Sequence, residues 1–197
     1  MKIIRGTDCR TTAWKNGGGA TTEIAVAPPG ASLDDFDWRI STARVGSDGP
    51  FSEFAGIDRT LAVVEGDGLA LSVGDTAPVV LDGISEPMRF PGDTPTLARL
   101  LAGEIVDLNV MTRRGRFAHR LCRIREATRC DFDGHDVALV VACSGRVELG
   151  LAQQRVILAD RDTAVLTRVD DAPFGVAPAA AAICYLVLLR DLRDHAG

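Results

Sequence analysis

Leu61-Ala62-Val63-Val64-Glu65-Gly66-Asp67-Gly68-Leu69-Ala70-Leu71 reads as an apolar run, a glycine-bearing connection and a second apolar run. The same rhythm returns at Ala138-Leu139-Val140-Val141-Ala142-Cys143-Ser144-Gly145-Arg146-Val147-Glu148-Leu149. Short apolar runs bounded by Gly, Asp and Ser are strand signals. Val79-Val80-Leu81 follows the first copy, and Asp82 and Asp160 close the strand after each. Glu65 to Gly68 and Gly74 to Pro78 read as hairpin connections. Two copies of a small β-barrel packed together account for the length, with one long sandwich as the alternative. No Pro/Ser/Gly-rich linker interrupts the chain, so 1–197 reads as one compact unit, with an N-terminal barrel over about 1–112 and a C-terminal barrel over 113–197.

Strand periodicity continues outward from the repeat. Phe36, Trp38 and Ile40 alternate with Asp37, Arg39 and Ser41, and Leu108 and Val110 alternate with Asp107, Asn109 and Met111. Two polar strand faces result, in an all-β chain with little helix. Leu97 to Leu101 is expected as a short helical turn, and Leu188 to His195 as a strand or a helical tail. Gly49-Pro50-Phe51 reads as a turn whose phenylalanine anchors a loop.

The 46% hydrophobic and 25% charged content is that of an ordinary globular chain. A net charge of −5 argues against broad nucleic-acid binding. Arg113, Arg114, Arg116, Arg120, Arg123, Arg125 and Arg129 nevertheless cluster, either as an anion patch or as a solvated strand face. The five cysteines include no Cys-x-x-Cys pair, so a disulfide scaffold is not expected, and Cys143 and Cys184 read as small buried hydrophobes. The N-terminus lacks an apolar signal-type stretch, and no run is long enough to span a bilayer, which points to the cytoplasm.

Trp14-Lys15-Asn16-Gly17-Gly18-Gly19-Ala20-Thr21-Thr22-Glu23 is the densest polar motif. Three successive glycines are unfavourable unless positive φ or close approach requires them. They form either a wall of a small-molecule site or a flexible turn before the first long strand. Arg39 and Arg59 are candidate carboxylate clamps, because a guanidinium presents a planar fork. The competing reading pairs them with Asp37, Asp58 or Glu23. Trp14 and Trp38 read as core residues before stacking platforms, and Met111 as core filler or soft pocket wall. His119 reads as a surface residue, His135 as a turn and His195 as tail. With no His-x-His pair, no metal is expected. No Gly-x-Ser-x-Gly, Rossmann or P-loop motif is present.

Four segments carry a family resemblance: Trp14 to Gly19 with Thr22-Glu23, Phe36 to Ser41, Gly49-Pro50-Phe51-Ser52 continuing to Gly56-Ile57-Asp58-Arg59, and Asp107 to Met111. In this order the chain resembles the HutD/Ves family of bacterial cupin-like proteins. The resemblance covers the first half and is inherited by the second. It implies a double β-barrel or jelly roll, a bicupin of the RmlC-like cupin kind, without the usual metal ligands and without a cofactor. It also implies an association with histidine utilisation, and binding of a small acidic metabolite such as a formylated or formiminylated glutamate, with a regulatory role.

On this reading a pocket in the N-terminal barrel is closed by the glycine loop. Arg39 or Arg59 clamps a carboxylate. Asn16, Thr22, Ser41 and Asn109 hydrogen-bond a formyl or amide group, the amides of Gly17, Gly18 and Gly19 form an anion nest, and Glu23 reads an amine, with Lys15 and Met111 alongside. The alternative is a metal-free isomerase or amide hydrolase with Glu23 as acid/base. A small acidic metabolite is the expected partner, with no nucleic acid and no membrane, and a homodimer is left open.

Overall fold

The computed structural model describes residues 1–152, 154–168 and 172–193. His195 lies outside the described residues. Its chain divides into two compact units, one of residues 10–117 and one of residues 1–9 with 118–197. The first nine residues thus join the C-terminal unit, because strand β1 (Lys2–Ile4) pairs there. The only helix among the described residues is a 3-10 turn at Gly6–Asp8.

The N-terminal unit contains β2 (Arg10–Ala13), β3 (Gly19–Ala27), β4 (Trp38–Val45), β5 (Gly49–Pro50), β6 (Ile57–Glu65), β7 (Leu69–Val73), β8 (Val79–Leu81), β9 (Met88–Pro91), β10 (Thr96–Leu100) and β11 (Ile105–Arg113). They form a six-stranded sheet ordered β2-β3-β4-β11-β6-β9 and a four-stranded sheet ordered β5-β10-β7-β8. The C-terminal unit adds β12 (Phe117–Ile124), β13 (Thr128–Cys130), β14 (Val137–Ser144), β15 (Val147–Leu151), β16 (Gln154–Leu158), β17 (Thr163–Thr167), β18 (Phe174–Pro178) and β19 (Ile183–Asp191). Its sheets are ordered β1-β17-β14-β19-β12 and β13-β18-β15-β16.

The repeat in the sequence is a repeat of topology. The order β4-β11-β6-β9 recurs as β12-β19-β14-β17, and β5-β10-β7-β8 recurs as β13-β18-β15-β16. Even the bulges correspond, between Val106 and Asp107 in one unit and between Ala142 and Ser144 in the other. In each unit the inward faces of the two sheets enclose an apolar core. In the N-terminal unit Leu61, Val63 and Ile105 meet Leu69, Leu71 and Ala98. Ala138, Val140 and Leu186 meet Val147, Leu149 and Val176 in the other.

Three local expectations are corrected. Glu65 to Gly68 is not a hairpin, since β6 and β7 lie in different sheets and the connection crosses between them. The Gly74 to Pro78 connection does join a hairpin, β7 with β8. The helical turn expected at Leu97 to Leu101 is strand β10, which pairs with β7 and β5 and buries Thr96 and Ala98 between exposed Leu97 and Arg99. Gly49-Pro50 is strand β5, while Phe51 does anchor its loop by packing on the core.

The glycine run has local structural causes. Gly17 has φ +72, the left-handed region that glycine enters freely. A Cβ on Gly19 would overlap the Arg44 carbonyl and lie 2.9 Å from the Trp14 ring. That ring packs against the core, and its Nε1–H donates to Thr21 Oγ1 at 2.8 Å. Gly19→Ala is therefore expected to destabilise the protein by about 1–3 kcal/mol, because the obstructing atom belongs to backbone. Gly17→Ala is expected to lose about 1 kcal/mol through its φ alone. Urea denaturation of both variants measures this, and a neutral Gly19→Ala would contradict the packing explanation.

Candidate ligand-binding site

In an antiparallel sheet, residues directly opposed across strands share a face. The register of the six-stranded sheet therefore lays inward-facing residues in transverse rows. Val26, Arg39, Met111, Arg59 and Phe90 form one row. Glu23, Ser41, Asn109, Leu61 and Met88 form the next, then Thr21, Ala43, Asp107 and Val63. The first two rows bring Arg39, Arg59, Met111, Glu23, Ser41 and Asn109 together, and the third places Asp107 beneath them. Apolar residues flank the cluster, with Phe36, Ile57, Phe54 and Met111 on one side and the main core on the other.

Arg59 is the centre of the cluster and is only 6% exposed. Its Nε and Nη2 donate to Asn109 Oδ1 at 3.3 and 2.9 Å, and its Nη1 donates to the Ser52 carbonyl at 3.2 Å. The guanidinium carbon lies 5.2, 5.6 and 5.1 Å from the ring centres of Phe51, Phe54 and Phe90. A guanidinium has five N–H donors. Three are engaged, all with neutral acceptors, which leaves two. No described carboxylate touches Arg59. Burial pulls its pKa down to about 10, with the charge of Asp107 opposing and that of Arg39 reinforcing the shift.

Arg39 faces the same interior differently. Its Nε donates to Glu23 Oε2 at 2.8 Å and its Nη1 to Ser41 Oγ at 3.4 Å. The Arg39 side chain is 12% exposed and that of Glu23 38%. Exposure thus rises across the sheet from Arg59 through Arg39 to Glu23, so solvent reaches the cluster from the β3 side. Asn109 Nδ2 donates to Asp107 Oδ1 at 3.0 Å, which turns the amide oxygen toward Arg59. Burial pushes the Asp107 carboxyl up to about 6, against the lowering influence of Asn109, Arg59 and the Ala43 amide.

The remaining expected site residues lie elsewhere. Thr22 opposes Thr42 on the other face of the sheet, and its hydroxyl lies 2.7 Å from that of Thr11. Gly19 opposes Val45, six residues along β4 from Arg39, or about 20 Å of strand. The glycine loop therefore does not close over Arg39 and Arg59. Asn16, Gly17, Gly18 and Gly19 instead line a separate cleft of about 280 Å³ with Arg44, Ser47 and Glu104. Lys15 is exposed beside it. The anion nest is not free, since the Gly17 amide donates to the Trp14 carbonyl and the Gly18 amide to Asn16 Oδ1.

Sequence reasoning missed Asp107 as a site residue, together with the rings of Phe51, Phe54 and Phe90. Asp107 was detectable from its shared strand parity with Asn109 and Met111. Four of the seven clustered arginines are committed to local partners. Arg113 donates to the carbonyls of Phe36 and Asp34, Arg114 bridges Asp58 and Asp93, Arg116 pairs with Asp37 and Arg120 with Asp133. His119, expected at the surface, is buried at 6% exposure. Among the described residues no group of three or more His, Cys, Asp or Glu side chains is placed to hold a metal ion. Nor is any helix among them long and apolar enough to cross a membrane.

The raised Asp107 pKa has a definite sign. A carboxyl that titrates near 6 when folded and near 3.8 otherwise contributes stability below about pH 4, lost as pH rises through 6. Asp107→Asn removes this loss while retaining an acceptor for Asn109. The variant is expected to gain about 2 kcal/mol on wild type between pH 4 and pH 7. Parallel denaturation curves at the two pH values read the difference, and a constant difference would contradict the assignment.

Known proteins bear on this geometry. The chain is 34% identical over 157 residues to a Pseudomonas putida protein described as the uncharacterized 21.2 kDa protein in the hutC 3′ region, covering 79% of this chain and 80% of that one. It is 34% identical over 147 residues to Protein Ves of Citrobacter koseri, covering 70% of each. The solved structure of HutD from Pseudomonas fluorescens SBW25 superposes with a TM-score of 0.81 at 29% identity, over 96% of this chain and 98% of that one. A cupin 2 conserved barrel domain protein from Leptotrichia buccalis superposes at 0.55 and 11% identity, over 96% of both, and shows a cupin-like fold. The HutD family model matches residues 6–184, and the chain belongs to the HutD family.

Proposed function

We propose that this protein binds a small acidic metabolite of histidine catabolism, of the formyl- or formimino-glutamate class, inside its N-terminal unit, and that it acts as a regulatory binder in the cytoplasm. In this reading both units close as the barrels of a bicupin. Arg59 takes the ligand's carboxylate on its two remaining N–H donors, Arg39 lies across Met111 from it, and Ser41 and Asn109 hydrogen-bond the polar remainder. Glu23 is bonded to Arg39, which favours a counter-charge role over the free acid/base of the enzymatic alternative.

One observation carries the reading: the fold does not need these polar residues. Counted from the matching bulges, Arg59, Asn109, Asp107 and Met111 correspond to Ala138, Leu186, Cys184 and Leu188 of the C-terminal unit. Those four are all buried members of that unit's apolar core. A buried cation with neutral partners is unfavourable for folding. Its presence in one copy of a duplicated architecture points to a ligand.

Thermal denaturation with N-formylglutamate, formiminoglutamate, urocanate, glutamate and formate tests this. A ligand at a hundredfold its Kd adds about 2.7 kcal/mol of stability. Arg59→Met, measured against its own ligand-free baseline, is expected to weaken the responding ligand by at least about 2 kcal/mol, a thirtyfold loss. Arg39→Ala is expected to weaken it less. Stabilisation that survives Arg59→Met would move the site away from this interior.

A further inference from the structure

Glu23 on β3, Arg39 on β4, Arg59 on β6 and Asp107 on β11 meet on the inward face of the six-stranded sheet, with exposed Arg10 opposite Glu23 at one edge and Arg113, bonded to the carbonyls of Phe36 and Asp34, at the end of β11. The second sheet presents no ionisable side chain at its buried positions, which are Leu69, Leu71, Val73, Leu81, Thr96 and Ala98. Arg39 and Glu23 neutralise each other through direct contact at 2.8 Å. Arg59 is left with Asp107 as its counter-charge, and the two do not touch. Asn109 stands between them, donating to Asp107 and accepting from Arg59. The charges of Glu23, Arg39, Arg59 and Asp107 therefore cancel when Asp107 is ionised, and an anion arriving at Arg59 brings a negative charge that these four do not offset. In a buried site such an imbalance is strongly unfavourable.

We infer that a carboxylate bound at Arg59 is accompanied by a proton on Asp107, so that the N-terminal site takes up an anion and a proton together. The inference rests on the anion-binding reading of this site. The balance is one ligand anion and one solvent proton entering, with the carboxylate of Asp107 becoming a carboxylic acid and no other bond changing. The proton goes to Asp107 rather than to the ligand, because Asp107 titrates near 6 and ordinary carboxylic acids about two units lower. The carbonyl oxygen of neutral Asp107 still accepts from Asn109, so Arg59 keeps its orientation. The coupling makes acidity part of the ligand signal, with the site filling more readily as pH falls.

Calorimetric titration of the full-length protein with formate, repeated in buffers of different ionisation enthalpy, counts the protons taken up. For wild type the count is expected to approach one proton per formate near pH 7 and to vanish below about pH 5. Affinity is expected to rise about tenfold per pH unit on descending toward pH 6 and to level off below it. Asp107→Asn is expected to bind formate at pH 7 as tightly as wild type does at pH 5, with no proton uptake. The histidines are unchanged in this variant and serve as the internal control. Wild-type binding without proton uptake, or uptake that persists in Asp107→Asn, overturns the inference while leaving the anion site standing. Absence of formate binding at every pH, or binding left unchanged by Arg59→Met, overturns the anion site and the coupling with it. The wild-type proton count decides the matter even where the variant folds poorly.

Discussion

The Arg59 guanidinium, held inside a β-sandwich without a carboxylate against it, is the constraint around which the N-terminal unit is arranged. A charge taken out of water needs hydrogen bonds and a polarisable surround. Asn109 supplies two of the three hydrogen bonds and the Ser52 carbonyl the third. Phe51, Phe54 and Phe90 supply the surround, so the loop before β6 is pinned by Phe51 on the core and by the contacts of the Phe51 and Phe54 rings with Arg59. The amide oxygen of Asn109 faces Arg59 because its Nδ2 donates a hydrogen to Asp107. Each residue in this chain of contacts is explained by the one before it.

Duplication gives the constraint its meaning. The C-terminal unit repeats the strand order and the bulge, yet fills the corresponding inward positions with Ala138, Leu186 and Cys184. Burial there pushes the Cys184 thiol up to about 12, as expected of a cysteine serving as a small apolar residue. One copy thus packs apolar side chains at these positions, and the other carries two arginines, an ion pair and a high-pKa carboxyl there. The glycine loop belongs to a different part of the molecule. Gly17 and Gly19 are explained by φ and by close approach to the Arg44 carbonyl and the Trp14 ring, and the amides of Gly17 and Gly18 already have acceptors.

The all-β class, the repeat and the shared faces of Arg39 with Ser41 and of Asn109 with Met111 were legible because period-two alternation is a local property. The Glu65 to Gly68 connection was not, since a hairpin and a crossing between sheets share the same short polar sequence and differ only in which partner the next strand finds. Leu97 to Leu101 took its conformation from β5 and β7, which lie far off in sequence. The separation of the glycine loop from Arg39 required the register of β3 against β4. Asp107 had the right parity, but its complete burial follows from the opposing sheet, and burial is what makes it chemically distinct. His119 was misread for a similar reason, because a histidine beside an arginine carries no local sign of which face packs inward.

The most direct measurement of the central claim is a crystal structure of the protein grown with N-formylglutamate. The account predicts a ligand carboxylate within hydrogen-bond distance of the terminal nitrogens of Arg59, between the Phe51 and Phe90 rings and the Met111 side chain. Ligand density in the cleft of Gly17, Ser47 and Arg44, with the Arg59 surroundings unchanged, would contradict it.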